Sequence, residues 1–246
     1  MIIPKKSLGQ NFLRDINIVK KILRSTKITG ENILEIGPGL GALTEELINL
    51  KPRELIIIEK DIVLFEKLEN KFHKIPNLQI IYEDALKFDY SKLNNFKIIS
   101  NLPYNISSKF IIKVFKYNKN ISEITCMIQS ELADKFNYKI GNMNKYKFLS
   151  EFYCSFEQLF KVSPNAFYPK PKVNSKVVKF KLNKKNIDHK KLELFVKLLF
   201  INKRKKIKSN NNILNLVDSK IAEKRFEDLN FNEILAIYKK FNFSFS

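Results

Sequence analysis

The sequence predicts an α/β fold, a doubly wound sheet followed by a small all-helical C-terminal part. Three observations carry that prediction. Apolar runs at 32–36, 53–59, 78–82, 96–100 and 123–129 alternate with stretches of helical periodicity, the pattern of strand–helix–strand units. A glycine turn, Gly37-Pro38-Gly39-Leu40-Gly41, follows the first run directly and opens a helix, as in the first crossover of such sheets. Beyond Asn183 the composition changes: ten Lys or Arg and two acids fall between Asn183 and Lys208. There Leu192, Phe195, Leu198 and Leu199 give a helical face. The expected boundary is near residue 184, with the sheet in 1–183 and a helical domain in 184–246.

The composition narrows the function classes. A chain of 246 residues with 44% hydrophobic content can build one large core and a small appendage. No apolar run approaches the roughly 20 residues of a membrane span, and Met1–Leu8 lacks a signal-peptide core. A cytoplasmic protein is expected. Cys126 and Cys154 are isolated and there are two histidines, so neither a metal site nor a disulfide framework is expected. The net charge is +20. Arg14, Arg24, Arg53, Arg204 and Arg225 are the arginines, and all the rest of the 45 basic residues are lysines. That bias, beside abundant Asn, Ile and Phe, fits A+T-rich coding and accounts for part of the charge. The clusters, above all Lys203–Lys208, point to a polyanionic partner, and nucleic acid is the usual one.

The elements follow in order. Lys5 to Leu13 is too polar for a core strand and precedes a helix with apolar Ile18, Val19, Ile22 and Leu23, for which Asp15 is the candidate N-cap. Beside the glycine turn, this arm is a candidate lid. Three of the chain's 6 glycines occupy alternate positions from Gly37 to Gly41, where average usage of about 7% would scatter about 17 along the chain. Positive φ or close backbone approach is the reason to concentrate them. The spacing E-x-G-x-G-x-G differs from the dinucleotide fingerprint and suits a ligand carrying a carboxylate and an adenosine. Glu59 ends the second strand, placed to accept from both hydroxyls of a ribose. Asp61 could cap the next helix. Asp84 follows the third strand at the ligand-binding edge of the sheet, within reach of an exocyclic adenine amine. Helical stretches are expected to about Phe156, with closing strands near Gln158–Val162 and Lys176–Lys181. A stiff loop, Asn165 to Val173, lies between them and interleaves aromatics with lysines. Short helices such as 232–241 end the chain.

Asn101-Leu102-Pro103-Tyr104 follows the fourth strand and reads as a clamp for a planar amine. The exocyclic nitrogen of adenine is a poor nucleophile because its lone pair is delocalised into the ring. Acceptors held around the amino group favour the tetrahedral geometry that attack requires. Asn101 offers a side-chain carbonyl and Leu102 a backbone carbonyl. Pro103 fixes the turn, and Tyr104 offers a ring for a flipped base. Direct displacement at a sulfonium methyl, assisted by positioning, is the reaction this suits.

With these residues in order, the chain resembles the small-subunit ribosomal RNA adenine dimethyltransferases, relatives of the macrolide-resistance methyltransferases. The resemblance runs through Ser7-Leu8-Gly9-Gln10-Asn11-Phe12-Leu13, Glu35 to Thr44, Glu59, Asp84-Ala85, Asn101 to Ser107, Phe167 to Val173 and Lys203-Arg204-Lys205-Lys206. It implies an S-adenosylmethionine-dependent methyltransferase with a Rossmann-like domain and a helical RNA-docking domain. The implied reaction is N6,N6-dimethylation of two adjacent adenosines near the 3′ end of small-subunit rRNA, during ribosome biogenesis.

The resemblance also implies roles for particular residues. Asn11 and Leu13 would contact the cofactor from the arm, Gly37 would lie against its methionine part, and Gly39 would belong to the same cofactor site. Glu59 would hold the ribose, and Asp84 and Ala85 the adenine. Asn101 would stand between donor and target amine, and Tyr104 and Phe167 would sandwich the base. Lys203, Arg204, Lys205 and Lys206 would dock RNA. The implied partner is small-subunit rRNA or a pre-30S-type particle, met by a monomer. Two departures bear on RNA docking: the basic run carries more lysine than is usual, and the C-terminal domain is short. The rivals are a large-subunit RNA methyltransferase, disfavoured by Leu102 and the arm before Gln10, and an assembly factor with secondary catalysis, disfavoured by the intact Glu59, Asp84 and Asn101.

Overall fold

The computed structural model of the chain describes residues 4–5, 8–138, 142–201 and 205–244. Short strand β1 (Phe12–Leu13) and helix α1 (Ile16–Arg24) come first. Asp15 caps α1, its carboxylate accepting the Asn17 and Ile18 N–H groups at 2.9 and 3.3 Å. Then β2 (Asn32–Ile36), α2 (Ala42–Asn49), β3 (Glu54–Glu59), α3 (Ile62–Phe72) and β4 (Leu78–Tyr82) alternate. They are followed by β5 (Phe96–Asn101), α4 (Ser107–Phe115) and β6 (Ile121–Gln129). Helices α5 (Ser130–Phe136) and α6 (Lys145–Tyr153) precede β7 (Cys154–Val162), β8 (Phe167–Tyr168) and β9 (Ser175–Leu182).

The main sheet has the order β4-β3-β2-β5-β6-β9-β7. It is parallel from β4 to β6, and β9 and β7 close it antiparallel. The continuous apolar runs of β2 and β3 are buried along their length, as strands covered on both faces require. The chain winds outward from β2 to β4, then returns to lay β5 on the other side of β2. The ends of β2 and β5 therefore flank the switch point, where a crevice opens at the carboxyl edge.

Two features depart from the sequence reading. The arm is more than a solvated lid: Phe12 pairs with Tyr168 and Leu13 with Phe167 in a separate two-stranded ladder. And β7 starts at Cys154, where helix to about Phe156 was expected. Phe156 pairs with Phe180 of β9, their ring centroids 4.9 Å apart. That cross-strand contact outweighs the helical propensity of the segment.

The chain divides into two compact units, Met1–Asp134 with Tyr153–Lys184, and Lys135–Phe152 with Lys185–Ser246. A single cut near residue 184 leaves 135–152 with the sheet, but the structure groups that segment with the C-terminal helices. The reason is aromatic packing. Phe148 and Phe152 meet Phe195, Phe231 and Tyr238 at centroid distances of 5.6–6.2 Å. The second unit holds α7 (His189–Phe200), α8 (Asn211–Leu214), α9 (Ser219–Ala222) and α10 (Phe231–Ser244), with one isolated bridge between Lys206 and Arg225. Among the described residues no helix is long and apolar enough to cross a membrane. No group of three or more His, Cys, Asp or Glu that could hold a metal occurs among them either.

Candidate active site

The cradle forms where β2 ends. Gly37 and Gly39 have φ of +61° and +62°, a region that costs an L-residue roughly 1–2 kcal/mol. Space is also lacking. A Cβ on Gly39 would stand 2.8 Å from Cδ1 of Phe12, and one on Gly37 would stand 3.0 Å from Cγ of Pro103. The cradle is thus pressed between the arm and the clamp, and glycine is demanded twice over. The Gly37 N–H donates to the Ile58 carbonyl at 2.9 Å, which ties the turn to β3.

Glu59 ends β3 and is buried. Its Oε1 accepts the N–H groups of Lys60 and Asp61, both at 2.8 Å. Its Oε2 faces the Gly39 N–H at 3.4 Å and so retains most of its accepting capacity. Burial pushes this carboxyl above the ordinary range, and the three N–H groups oppose that. Asp84 accepts the Leu86 N–H at 2.9 Å and pairs with Lys60 Nζ at 2.6 Å. Burial works against its charge, but Lys60 and the Leu86 N–H hold its pKa below the usual value.

The loop after Asp84 is braced by side chains the sequence reading did not single out. Tyr90 is fully buried and donates its hydroxyl to the Ala85 carbonyl at 2.8 Å. Lys113 of α4 donates to the carbonyls of Leu86 and Phe88 at 2.8 and 2.7 Å. Helix α4 begins just after the clamp, so the Asp84 loop and the clamp share a support. No local spacing signals this, because Lys113 lies 27 residues from Leu86.

In the clamp, Asn101 donates its side-chain amide to the Asn11 carbonyl at 3.0 Å. A carbonyl partner fixes which end of the amide faces it. The Asn101 oxygen is therefore turned the other way, and it accepts no hydrogen bond among the described residues. Pro103 is tied back into the turn, its carbonyl accepting Ser107 Oγ at 2.9 Å and the Ile106 N–H at 3.2 Å. The Tyr104 hydroxyl lies 2.5 Å from Ser175 Oγ, and Ser175 is fully buried at the start of β9. Ser175 thus fixes the ring that was expected to stack on a base.

The arm is latched by Asp61. Its carboxylate accepts Lys5 Nζ at 2.8 Å and Gln10 Nε2 at 2.9 Å while capping α3 through the Val63 N–H. Only the capping role was legible in the sequence.

These elements enclose one cleft, with about 760 Å³ of space, part of it open to solvent. Its walls bring together Asn11, Gly37, Gly39 and Glu59, then Asp84 and Ala85, then Asn101, Leu102, Pro103 and Tyr104. Two predicted residues do not join that wall. Leu13 is buried and lines a smaller cavity behind the cradle. Phe167 is 5% exposed and belongs to the core cluster that includes Leu13 and Val162. It faces the core because β8 pairs with β1 in a register that turns Leu13 and Phe167 to the same side. Of the expected docking residues, Lys203 and Arg204 lie outside the described residues, as does Ser7 of the arm. Lys205 and Lys206 are exposed in the second unit. Lys206 and Lys208 both pair with Glu223, at 2.8 and 2.7 Å, which takes up part of the positive charge of the run.

Glu35, in the smaller cavity, is a further unassigned acid. It is buried and accepts Thr44 Oγ1 at 2.7 Å. Burial pushes its pKa up to about 8; the Thr44 bond opposes the shift and the Glu59 charge adds to it. A raised carboxyl pKa gives stability that is complete below about 4.5, the unshifted value, and is lost as pH rises through about 8. In that window the folded chain holds a proton that the unfolded chain has released, at about 1.4 kcal/mol per pH unit. Glu35→Gln removes the titration and keeps an acceptor for Thr44. Unfolding free energies of the two proteins from urea titrations should therefore diverge by up to a few kcal/mol between pH 5 and 8, with the variant the more stable at pH 8. Parallel pH profiles would contradict a neutral Glu35.

The profile of the ribosomal RNA adenine dimethylase family matches residues 3–242. The chain belongs to this family. Among its relatives is the ribosomal RNA small subunit methyltransferase A of Ureaplasma urealyticum, 36% identical over 94% of this chain and 85% of that protein. The protein of the same name from Malacoplasma penetrans is 42% identical over 83% of this chain and 76% of the relative. In fold, the chain is similar to a dimethyladenosine transferase from Plasmodium falciparum, with TM-score 0.79 and 24% identity over 94% of this chain and 97% of the other. It is also similar to the 23S rRNA methyltransferase ErmE, with TM-score 0.72 and 22% identity over 94% of this chain and all of that one. Family membership bears out the expected class, a methyltransferase of ribosomal RNA adenines, and the structural neighbours bear out its Rossmann-like α/β fold.

Proposed function

We propose that this protein transfers methyl groups from S-adenosylmethionine to N6 of two adjacent adenosines near the 3′ end of small-subunit rRNA, giving N6,N6-dimethyladenosine. The observation that carries the reading is the orientation of Asn101. Its amide nitrogen donates to the Asn11 carbonyl, so its oxygen faces the other way and is left to accept from an incoming amine, at the switch point between the cradle and Tyr104.

The residues present fit the donor. The cradle has no room for side chains at Gly37 and Gly39, so backbone groups alone can meet its methionine part. Glu59 Oε2 supports a ribose hydroxyl contact, and Asp84 with the braced Ala85 backbone supports the adenine. When bound, S-adenosylmethionine supplies an electrophilic sulfonium methyl. The chain's own groups do the rest. Tyr104, held by Ser175, offers a face to the target base, a contact worth about 1–3 kcal/mol. Asn101 and the Leu102 carbonyl accept the N6 hydrogens and favour the pyramidal nitrogen that attacks. Because the proton leaves after the new bond forms, no tuned base is needed. A base held by its ring can turn its monomethylated amine back to the donor, which supports a second transfer at the same site. Stacking by Phe167 requires that ring to leave the core.

The test incubates the protein with labelled methyl donor and each ribosomal subunit, followed by nucleoside mass spectrometry. Dimethyladenosine at two neighbouring positions of small-subunit RNA is expected. Label confined to large-subunit RNA would overturn the substrate, and monomethyladenosine alone after exhaustive reaction would overturn the second transfer.

A further inference from the structure

Tyr168 is the exposed member of β8, at 44%, beside the buried Phe167. The β1–β8 register opposes Phe12 to Tyr168, so the two side chains share one face of the ladder, Phe12 buried against Gly39 and Tyr168 open at the edge. Arg14, two residues after Phe12, comes to the same face. Its guanidinium lies 4.0 Å from the centroid of the Tyr168 ring, and its N–H is anchored to the Ala166 carbonyl at 2.9 Å. Asp15, the neighbouring acid, is committed to capping α1 and leaves the Arg14 charge to the ring. Lys170 and Lys172 are exposed in the loop that follows and make no ion pair among the described residues.

An exposed ring backed by a cation, with lysines beside it, has the chemistry that receives a base and its phosphates. The position is continuous with the clamp. Asn11, whose carbonyl holds Asn101, immediately precedes the strand that pairs with Tyr168. Nothing in the methyl-transfer chemistry uses either residue.

We propose that Arg14 and Tyr168 form a stacking platform for the RNA nucleotide next to the target adenosine, with Lys170 and Lys172 on the flanking phosphates. This rests on the RNA methyltransferase reading above and adds a subsite to it. The platform holds the neighbour while Tyr104 holds the target, so it sets which base enters the clamp.

The test uses a small-subunit RNA hairpin with 2-aminopurine beside the target adenosine, the full-length protein and S-adenosylhomocysteine. Stacking on the platform quenches the probe. Tyr168→Ala should restore its fluorescence and raise the RNA Kd about 5- to 150-fold, the range for one base–aromatic stack. The Kd for S-adenosylhomocysteine should not move. Tyr168→Leu keeps apolar bulk on β8 and should behave like alanine, so it carries the test if the alanine variant melts early. Tyr168→Phe should bind like wild type. A wild-type RNA Kd in Tyr168→Leu, or an equal loss in Tyr168→Phe, would overturn the platform. Wild-type protein that fails to methylate small-subunit RNA would instead overturn the reading it rests on.

Discussion

Asn101→Ala should lower single-turnover methylation by about 10²–10³-fold, the cost of removing one preorganised group that stabilises the reacting centre. The structure gives the reason. Asn101 ends β5 with its amide nitrogen on the Asn11 carbonyl, and its oxygen accepts no hydrogen bond among the described residues. That oxygen is already oriented before the target amine arrives, so no reorganisation is needed during reaction. Alanine removes both ends of the amide. The lost bond to Asn11 costs about 1 kcal/mol and loosens the arm. The arm remains fixed by the ladder with β8 and by Asp61 on Lys5 and Gln10, so the fold and most donor affinity should survive. Measured at saturating donor and RNA, the loss should appear in the chemical step, with a thermal midpoint within a few degrees of wild type. Near-wild-type single-turnover methylation would remove Asn101 from the mechanism.

The sequence made legible what is encoded locally. The run Asn32–Ile36, the alternate glycines and the helix after them form one strand–turn–helix unit within eighteen residues, and each part has its own signal. Glu59 and Asn101 were legible for the same reason, since both close an apolar strand. What stayed hidden depends on pairing between distant segments. Strands of two residues carry no periodicity, so the ladder of Phe12–Leu13 with Phe167–Tyr168 could not be read. Its register is what buries Phe167 and exposes Tyr168. Ser175 lies 71 residues from the Tyr104 it positions. Segment 135–152 shows ordinary helical patterning and gives no sign that its phenylalanines pack with the C-terminal helices. The register bulge between Gln158 and Phe160 disturbs the alternation of β7, which is why the start of that strand was misjudged.

Glu59→Ala should have the largest effect on the donor, raising the Kd for S-adenosylhomocysteine about 10- to 150-fold. A hydrogen bond to an ionised acceptor is worth about 1.5–3 kcal/mol, and the loss of one gives that range. The structure adds a second cost. Glu59 organises the N–H groups of Gly39, Lys60 and Asp61, so its removal also loosens the cradle and the turn that latches the arm. Glu59→Gln keeps one acceptor oxygen and should fall between the two. The raised pKa supplies a separate test. Burial, opposed by those N–H groups, lifts the carboxyl above its ordinary value. The charged form is the better acceptor for ribose hydroxyls, so wild-type affinity should fall as pH is lowered from 8, beginning above the usual glutamate range. Glu59→Gln has no such titration and should give a flat profile. Calorimetry from pH 8 downward decides between a ribose contact and a merely structural acid. A wild-type Kd in Glu59→Ala at pH 8, or identical pH profiles for wild type and Glu59→Gln, would take Glu59 out of the donor site.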